Sequence, residues 1–500
     1  MSGYPEPGEI SLVEAIWGPN LALAVDDDRV AVIADISDGG QVWTRGTLAR
    51  EILRLAHHFR SRGLGTGEVI ALIAENSPYY IAAFHAVLAV GAAVLPLDPR
   101  SVPEDWLTSL RNTDAAAAVL DHAAWKRLAN TGQDSYDVIV LTDDQLPSHP
   151  RALRVGELVL PAVPPPFAPG DGSRTAVLCR SSGTLGKPKT VAITHHNLTA
   201  NLAQIEAAHS LDSEDVVLGI TPLGHIYGMQ MVMNHALRRA SPIVLGPTRY
   251  SPDRTAESIV DHRVTIAYLV PSAIAELTTI PPPRHHLRAV ASGGAPLGEA
   301  TAAAFEASWR TRVVQGYGMT EAGCISFMSD GVDCPPGTVG VPLPGTEIRL
   351  IDPVTGAEVA EGTPGELWIR GPQVIPEVTG WLRTGDLVTR TDGGALRIVG
   401  RLKNIIKYKG HQVAPAALEE ILRSHPRVKD AVVLGEPDPA AGEVPKAYVV
   451  AEGPVPDDEL MAYVAERVAP HQRIRLVERL DRMPRNAAGK VDIRALRGLG

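Results

Sequence analysis

The sequence predicts an α/β fold: a large N-terminal domain of layered sheets and helices that carries a small β-rich subdomain, then a small α+β C-terminal domain. Three observations lead there. Helical patterns alternate with short Val/Ile/Leu runs over most of the chain, the rhythm of parallel sheet segments covered by helices. From Gly337 to Asp386 the texture changes to short strands with Gly/Pro turns. The last hundred residues form a compact set of amphipathic helices and strands of their own, beginning near Arg401. The expected division is therefore 1–400 and 401–500.

Each element has its own signal. Leu48 to Arg62 is helical in period, and Val69–Ala74 reads as a buried strand. Asn76-Ser-Pro opens the next helix. The longest apolar run, Ile81 to Leu97, is short for a membrane span and is interrupted by His85 and Gly91. A buried helix ending near Gly91, followed by a strand over Ala92–Leu97, accounts for it better. Strands are expected at Ala116–Leu120, Val138–Leu141, Thr175–Cys179 and Thr190–Thr194, with a semi-rigid Pro-rich connector at Pro161–Pro169. The subdomain contributes Thr346–Ile351 and Gly365–Arg370. The C-terminal unit contributes helices over Val413–Arg423 and Asp457–Val468 and strands over Ala431–Leu434 and Lys446–Val450.

Composition narrows the function. Five hundred residues with 45% hydrophobic content bury large cores and exceed one ordinary domain. A net charge of -10 argues against nucleic acid or an anionic membrane as the main partner. The three cysteines, Cys179, Cys324 and Cys334, show no metal or CxxC spacing, so a reducing cytoplasm is the simplest setting. The N-terminus lacks the basic and apolar regions of a signal peptide. A soluble, cytoplasmic protein is expected.

The stretch Arg180-Ser-Ser-Gly-Thr-Leu-Gly-Lys-Pro-Lys189 places hydroxyls, glycines and lysines between two apolar runs. Such a strand–loop–strand turn can converge backbone N–H groups, hydroxyls and ammonium groups on a polyphosphate. It does not fit G-x-x-x-x-G-K-[ST], and Pro188 turns Lys187 away from helical angles, so no helix should open there. Taken alone, such a loop is more often a plain surface turn.

Six further clusters follow in order: Ser292-Gly-Gly-Ala-Pro-Leu297, Gln315-Gly-Tyr-Gly-Met-Thr-Glu-Ala322, Gly380-Trp-Leu-Arg-Thr-Gly-Asp-Leu387, Gly400-Arg-Leu-Lys403, Lys407-Tyr-Lys-Gly410 and Pro484-Arg-Asn-Ala-Ala-Gly-Lys-Val491. With the loop, they resemble over essentially the whole chain the adenylate-forming superfamily of acyl-CoA synthetases, firefly luciferase and peptide-synthetase adenylation domains. The flavour is that of the coumarate/fatty-acid CoA ligases. The resemblance implies that a carboxylate attacks the α-phosphate of ATP to give an acyl-adenylate, which a thiol then captures. It also makes the C-terminal unit a mobile lid.

The resemblance assigns residues to roles. Ser181, Ser182, Gly183, Thr184 and Lys189 match the phosphate loop. Thr320 meets a phosphate oxygen, and Glu321 holds Mg²⁺, a cation that prefers oxygen ligands. Gly293, Gly294 and Ala295 let adenine lie against backbone, Tyr317 stacks on it, and Gln315 reaches the base edge. Gly316, Gly318 and Met319 complete that nucleotide-facing stretch. Asp386 accepts from the ribose hydroxyls, with Arg401 assisting. Lys490 neutralises charge building at the α-phosphate and carboxylate. Lys403 is the hinge, and lid rotation would bring in Lys407 and Gly410, which line the pantetheine tunnel in relatives. Read without their neighbours, Glu321, Asp386, Lys403 and Lys490 are a helix-start carboxylate, a turn residue and two solvated lysines.

The acid would be held in Pro222-Leu-Gly-His-Ile-Tyr-Gly228, with His225 and Tyr227 near its carboxylate; a satisfied structural histidine is the other reading of His225. Matching positions suggest walls from Met229, Met231, Gly316, Gly323, Cys324 and Ile325, uncharged and mostly apolar, hence a hydrophobic acid. Amino-acid-activating relatives place a Phe-Asp pair where this chain has His225-Ile226, so an α-amino acid is not expected. Three departures stand out: Leu185 replaces threonine and Thr190 replaces glycine in the loop, and Gly371–Gly380 is shorter than usual. Expected cofactors and partners are ATP, Mg²⁺, a small carboxylic acid, and coenzyme A or a carrier protein's phosphopantetheine. A member that binds nucleotide without completing the cycle stays open as an alternative.

Overall fold

The computed structural model describes residues 10–34, 40–131, 136–142, 152–160, 168, 170–181, 189–246, 250–329, 331–409, 411–485 and 491–498. Ser182, Gly183, Thr184, Leu185, Gly410 and Lys490, together with most of the Pro-rich connector, lie outside the described residues.

The apolar run singled out above shows how the core is layered. Pro78–Ala89 is a helix in which every residue except Tyr79 is buried. Ser77 caps it by accepting the Tyr80 N–H at 3.0 Å, and Pro78 occupies the first turn, where its missing N–H costs nothing. A helix apolar all round must be enclosed by protein. It shares one apolar cluster with Ile70, Val94 and Val177 of one sheet and Val32 and Val217 of another. It ends where Gly91 takes a left-handed φ of +86° with Thr66 packed 2.6 Å from where a Cβ would stand. The strand Ala93–Pro96 follows. Among the described residues no helix is long and apolar enough to cross a membrane.

Two large sheets form the layers. One runs Ala152–Arg154, Asp137–Leu141, Ala117–Asp121, Val69–Ile73, Ala93–Pro96 and Thr175–Ser181, all parallel, and ends on the antiparallel edge strand Lys189–Thr194. The other centres on parallel Val30–Ala34, Ile243–Leu245, Val217–Gly219, Ile266–Leu269, Ala289–Ser292 and Arg312–Met319, with antiparallel strands at both edges. Helix Arg45–Ser61 begins three residues before its expected start because Thr44 caps it, accepting the Thr47 N–H at 3.0 Å.

The β-rich subdomain is an antiparallel sheet of Glu347–Ile351, Gly365–Arg370, Leu382–Arg390 and Leu396–Arg401 in chain order. Sheet membership then changes between Arg401 and Ile406. The last sheet joins His411–Val413, Ile406–Tyr408, Gly442–Ala451 and Val428–Asp438, with Leu476–Arg479 pairing parallel to Gly442–Ala451. Its core includes Ile406, Leu418, Leu422, Val449 and Leu460. The helix expected over Val413–Arg423 spans Pro415–Arg423 instead. Pro415 sets the first turn and holds Ala414 extended, leaving Val413 as strand.

Candidate functional site

A cleft partly open to solvent lies where the parallel strands of the second sheet end. That is the usual ligand position in such sheets. Strand Ala289–Ser292 delivers Gly293 and Gly294 to it, and strand Arg312–Met319 delivers Gly316, Tyr317, Gly318, Met319 and, just beyond, Thr320. Gly323, Cys324 and Phe327 come from the antiparallel return strand. The fourth wall is the loop carrying His225 and Tyr227 and the π-helix Gly228–Asn234, from which Gln230 and Met231 face in. One-turn π segments are frequent at binding sites.

At one end the groups are polar and tightly held. Tyr317 Oη donates to Asp386 Oδ2 at 2.6 Å, and Arg401 Nε stands 2.6 Å from Asp386 Oδ1. The Asp386 N–H donates to Thr384 Oγ1, whose hydroxyl donates to the Leu367 carbonyl at 2.8 Å. Asp386 is 1% exposed, so this carboxylate is fixed and oriented rather than solvated. Burial, then the Asp386 charge, pushes the Tyr317 phenol well above its ordinary pKa. Asp386 and Arg401 face each other across adjacent strands of the subdomain, which ties that sheet to the cleft.

Next to this end stand Thr320 and Glu321, half-buried in the turn after Met319. Among the described residues no hydrogen bond or ion pair engages the Glu321 carboxylate, although its charge, after burial, contributes to raising the Cys179 thiol to about 12. Glu321 therefore sits near the strand Thr175–Ser181, which leads into the Arg180–Lys189 loop. Among the described residues no group of three His, Cys, Asp or Glu side chains could hold a metal alone. A single carboxylate sharing Mg²⁺ with phosphate oxygens fits that donor set. The loop's flanks are strands on both sides, Ser181 pairing with Lys189, so no helix opens after it.

The other end is apolar and walled partly by backbone. His225 Nδ1 accepts the Tyr227 N–H at 3.2 Å, and Tyr227 Oη donates to the Ala291 carbonyl at 2.8 Å. A Cβ on Gly293 would stand 2.8 Å from the Tyr227 ring, and one on Gly316 would stand 2.8 Å from Phe327. Burial holds the Cys324 thiol up at about 12.

Two expected acid walls lie elsewhere. Met229 and Ile325 are fully buried and do not line the cleft. The segment after His225 is helical, so Tyr227, Gln230 and Met231 share one face and Met229 points to the core. Ile325 is the extra residue of a β-bulge: Tyr317 pairs with Ser326 and Gly318 with Cys324, and Ile325 turns into the subdomain core. Ala295 and Gln315 flank the cleft without lining it; Gln315 is buried, and its carbonyl accepts the Met328 N–H. Lys407 lies on the separate C-terminal sheet, its N–H donating to Glu443, and Lys403 lies in the turn after Arg401. Partial burial, then Arg401, lowers the Lys403 pKa.

Sequence reasoning missed Gln230, Phe327 and above all Asn201. Asn201 Oδ1 accepts the Cys324 N–H at 3.1 Å and its Nδ2 donates to the Cys324 carbonyl at 2.8 Å, clamping the cleft-lining strand. Asn197 and Gln204 on the same helix hold Pro372, Val374, Pro344 and Gln373 in the same way. The only trace in the sequence is the spacing of Asn197, Asn201 and Gln204, which puts three amides on one face of the helix His195–Ala208.

Layered α/β sheets ending on a cleft with a fixed carboxylate at one end and an apolar chamber at the other define an adenylate-forming enzyme. The chain belongs to the AMP-binding enzyme family, whose pattern it matches over residues 22–377, with the AMP-binding enzyme C-terminal domain over residues 417–490. It is similar to 4-coumarate–CoA ligase-like 9 of Oryza sativa subsp. japonica, 33% identical over 94% of this chain and 90% of the relative. It is also similar to a probable CoA ligase, CCL5, of Humulus lupulus, 32% identical over 90% and 87%. Among solved structures, the amide bond synthetase McbA from Marinactinospora thermotolerans superposes with a TM-score of 0.85 at 27% identity, over 98% of this chain and 99% of that one. ATP-bound MatB from Rhodopseudomonas palustris shares the fold, with a TM-score of 0.86 at 23% identity over 98% of each chain.

Proposed function

We propose that the protein is an ATP- and Mg²⁺-dependent acid–thiol ligase that activates a hydrophobic, non-amino carboxylic acid and passes it to coenzyme A. In the first step a carboxylate oxygen bonds to the α-phosphorus of ATP and pyrophosphate leaves. In the second, the thiol sulfur bonds to the acyl carbon, AMP leaves, and the thiol proton goes to solvent. The observation that carries the reading is the single cleft joining the Tyr317–Asp386–Arg401 group to an apolar chamber past His225.

The roles follow from placement. Asp386 offers a fixed acceptor for ribose hydroxyls, and Tyr317 a face for adenine beside the bare backbone of Gly293 and Gly294. His225 from the apolar end and Thr320 from the polar end line the same cleft, and carboxylate and phosphate would meet between them. Glu321 would hold Mg²⁺, which supplies charge neutralisation on the phosphates. Residues 401–500 act as a lid turning at Lys403: one orientation brings Lys490 to the α-phosphate, the other admits the thiol beside Lys407. An electrostatic contact of this kind is a major contribution to such a step.

The test is acid-dependent pyrophosphate release with a panel of aryl and fatty acids, followed by product analysis with CoA, a phosphopantetheinyl carrier protein, or an amine as acceptor. Thioester with CoA is expected; exclusive transfer to carrier or amine would overturn the acceptor, and tight AMP binding with no pyrophosphate exchange would overturn the ligase. Lys490→Ala should lower adenylation by about a hundredfold or more while leaving thioester formation from supplied acyl-AMP near its parent rate. Unimpaired adenylation would remove the role given to Lys490.

A further inference from the structure

The loop that carries His225 is braced from the other large sheet. It leaves strand Val217–Gly219 of the second sheet, yet its backbone is held by Asn76, which follows strand Val69–Ile73 of the first. Asn76 Nδ2 donates to the Thr221 carbonyl at 2.8 Å, and Asn76 Oδ1 accepts the Leu223 N–H at 2.9 Å, across 145 and 147 residues of sequence. Thr221 and Leu223 are buried beyond the end of their strand, where unpaired backbone groups would be costly. A primary amide supplies the donor and the acceptor at once. Asn76 is spared for this because its neighbour Ser77 caps the helix Pro78–Ala89.

The clamp ends just before His225. The His225 N–H donates to the Pro222 carbonyl at 3.1 Å, inside the clamped segment. A Cβ on Gly224 would stand 3.1 Å from Tyr80 Oη and 3.2 Å from Pro96 Cβ, so the turn has little slack on its far side. The imidazole is held as well: its Nδ1 accepts the Tyr227 N–H, so Nδ1 carries no proton and Nε2 does. His225 thus brings to the cleft wall a neutral ring with one donor nitrogen. We propose that Asn76 is a positioning residue for the acid: by clamping Thr221 and Leu223 it sets where His225 presents that proton to the substrate carboxylate. Asn76 does not line the cleft, so its effect on the acid passes through the loop. The wall at Cys324 is braced in the same way by Asn201. The inference rests on the ligase reading for the identity of the group met by His225.

The test is a double-mutant cycle of Asn76→Ala and His225→Ala on the acid that the parent turns over best. It is read by pyrophosphate release with acid and ATP varied separately, and by calorimetric affinity for the same acid in the presence of α,β-methylene-ATP. The second readout decides where a variant turns over too slowly to measure. Asn76→Ala should lower kcat/KM and affinity for the acid about ten- to a hundredfold, the range expected when a reacting group is displaced by up to about 1 Å, with KM for ATP moving less than about twofold. In the His225→Ala background the same substitution should change either acid readout less than about twofold, because the group it positions is gone. A purely structural role would cost the same in both backgrounds and would raise KM for ATP as well. If Asn76→Ala does not fold, the isosteric Asn76→Asp, which keeps the acceptor for the Leu223 N–H and loses the donor to Thr221, decides the question by the same ratio. No loss on substituting Asn76, or equal losses in the two backgrounds, overturns the proposal while leaving the ligase reading intact. No acid-dependent pyrophosphate release from the parent overturns both.

Discussion

Substituting Gly323→Ala should damage the acid end of the cleft, and the structure sets the size of the effect. Gly323 has a φ of +57°, and a Cβ there would stand 2.3 Å from Asn201 Oδ1. A non-glycine residue in that left-handed region costs about 1–2 kcal/mol. Asn201 must also leave, giving up its two hydrogen bonds to Cys324, at about 1 kcal/mol each. The sum is about 3–4 kcal/mol, or a fall of several degrees in Tm. Because Gly323 and Cys324 line the acid chamber, KM for the acid should rise about ten- to a hundredfold, with KM for ATP changing far less. Asn201→Ala alone should cost about 2 kcal/mol, and the double variant should be less than additive by a similar amount, since both changes remove the same bonds. The assay is calorimetric unfolding of the four-member cycle with acid-dependent pyrophosphate release. An additive cycle, or a Gly323→Ala protein as stable as its parent, would refute the reasoning.

Three further outcomes follow from other parts of the molecule. Asp386→Asn removes the charge that orients Tyr317 and Arg401, so KM for ATP should rise about tenfold or more while KM for the acid stays near the parent value; steady-state kinetics varying each substrate separates the two. His85 and His195 are buried, and burial first holds each near a pKa of about 4, below the ordinary 6.5. The unfolded chain therefore binds the extra protons, and the stabilisation is complete above pH 6.5 and is lost as pH falls from there towards 4, about 3 kcal/mol for each histidine; His85→Phe should flatten that limb of a Tm–pH curve. Cys179, buried and raised to about 12, should resist alkylation in the native protein, while partly exposed Cys334 should react before it with iodoacetamide as read by peptide mass spectrometry.

How far the sequence was legible depended on whether a signal was periodic. The helix and strand at Ile81–Leu97, the hairpin flanking Arg180–Lys189 and the small C-terminal sheet were readable because period and punctuation agree there. The polar end of the cleft stood out because Tyr317, Thr320, Glu321 and Asp386 sit in short, dense motifs, and the structure joins Tyr317 and Asp386 by a hydrogen bond. Met229 and Ile325 failed for local geometric reasons. Met229 and Met231 sit on a π-helix that turns Gln230 and Met231 to the cleft and Met229 to the core, and a bulge with no sequence signature turns Ile325 away. Asn201 was missed because a buried amide earns notice only once its backbone partners, 123 residues along the chain, are known.

The acid chamber illustrates why side-chain lists describe such a site poorly. Its walls are set where side chains are missing. Gly293 lets Tyr227 approach, Gly316 admits the Phe327 ring, and Gly323 makes room for Asn201 to hold the strand in place. A chamber shaped by close backbone approach is stiff along the strands and adjustable only at the few side chains that fill the gaps, here Tyr227, Met231 and Phe327. Substrate choice should therefore follow the identity and rotamer of those three more than the overall polarity of the lining.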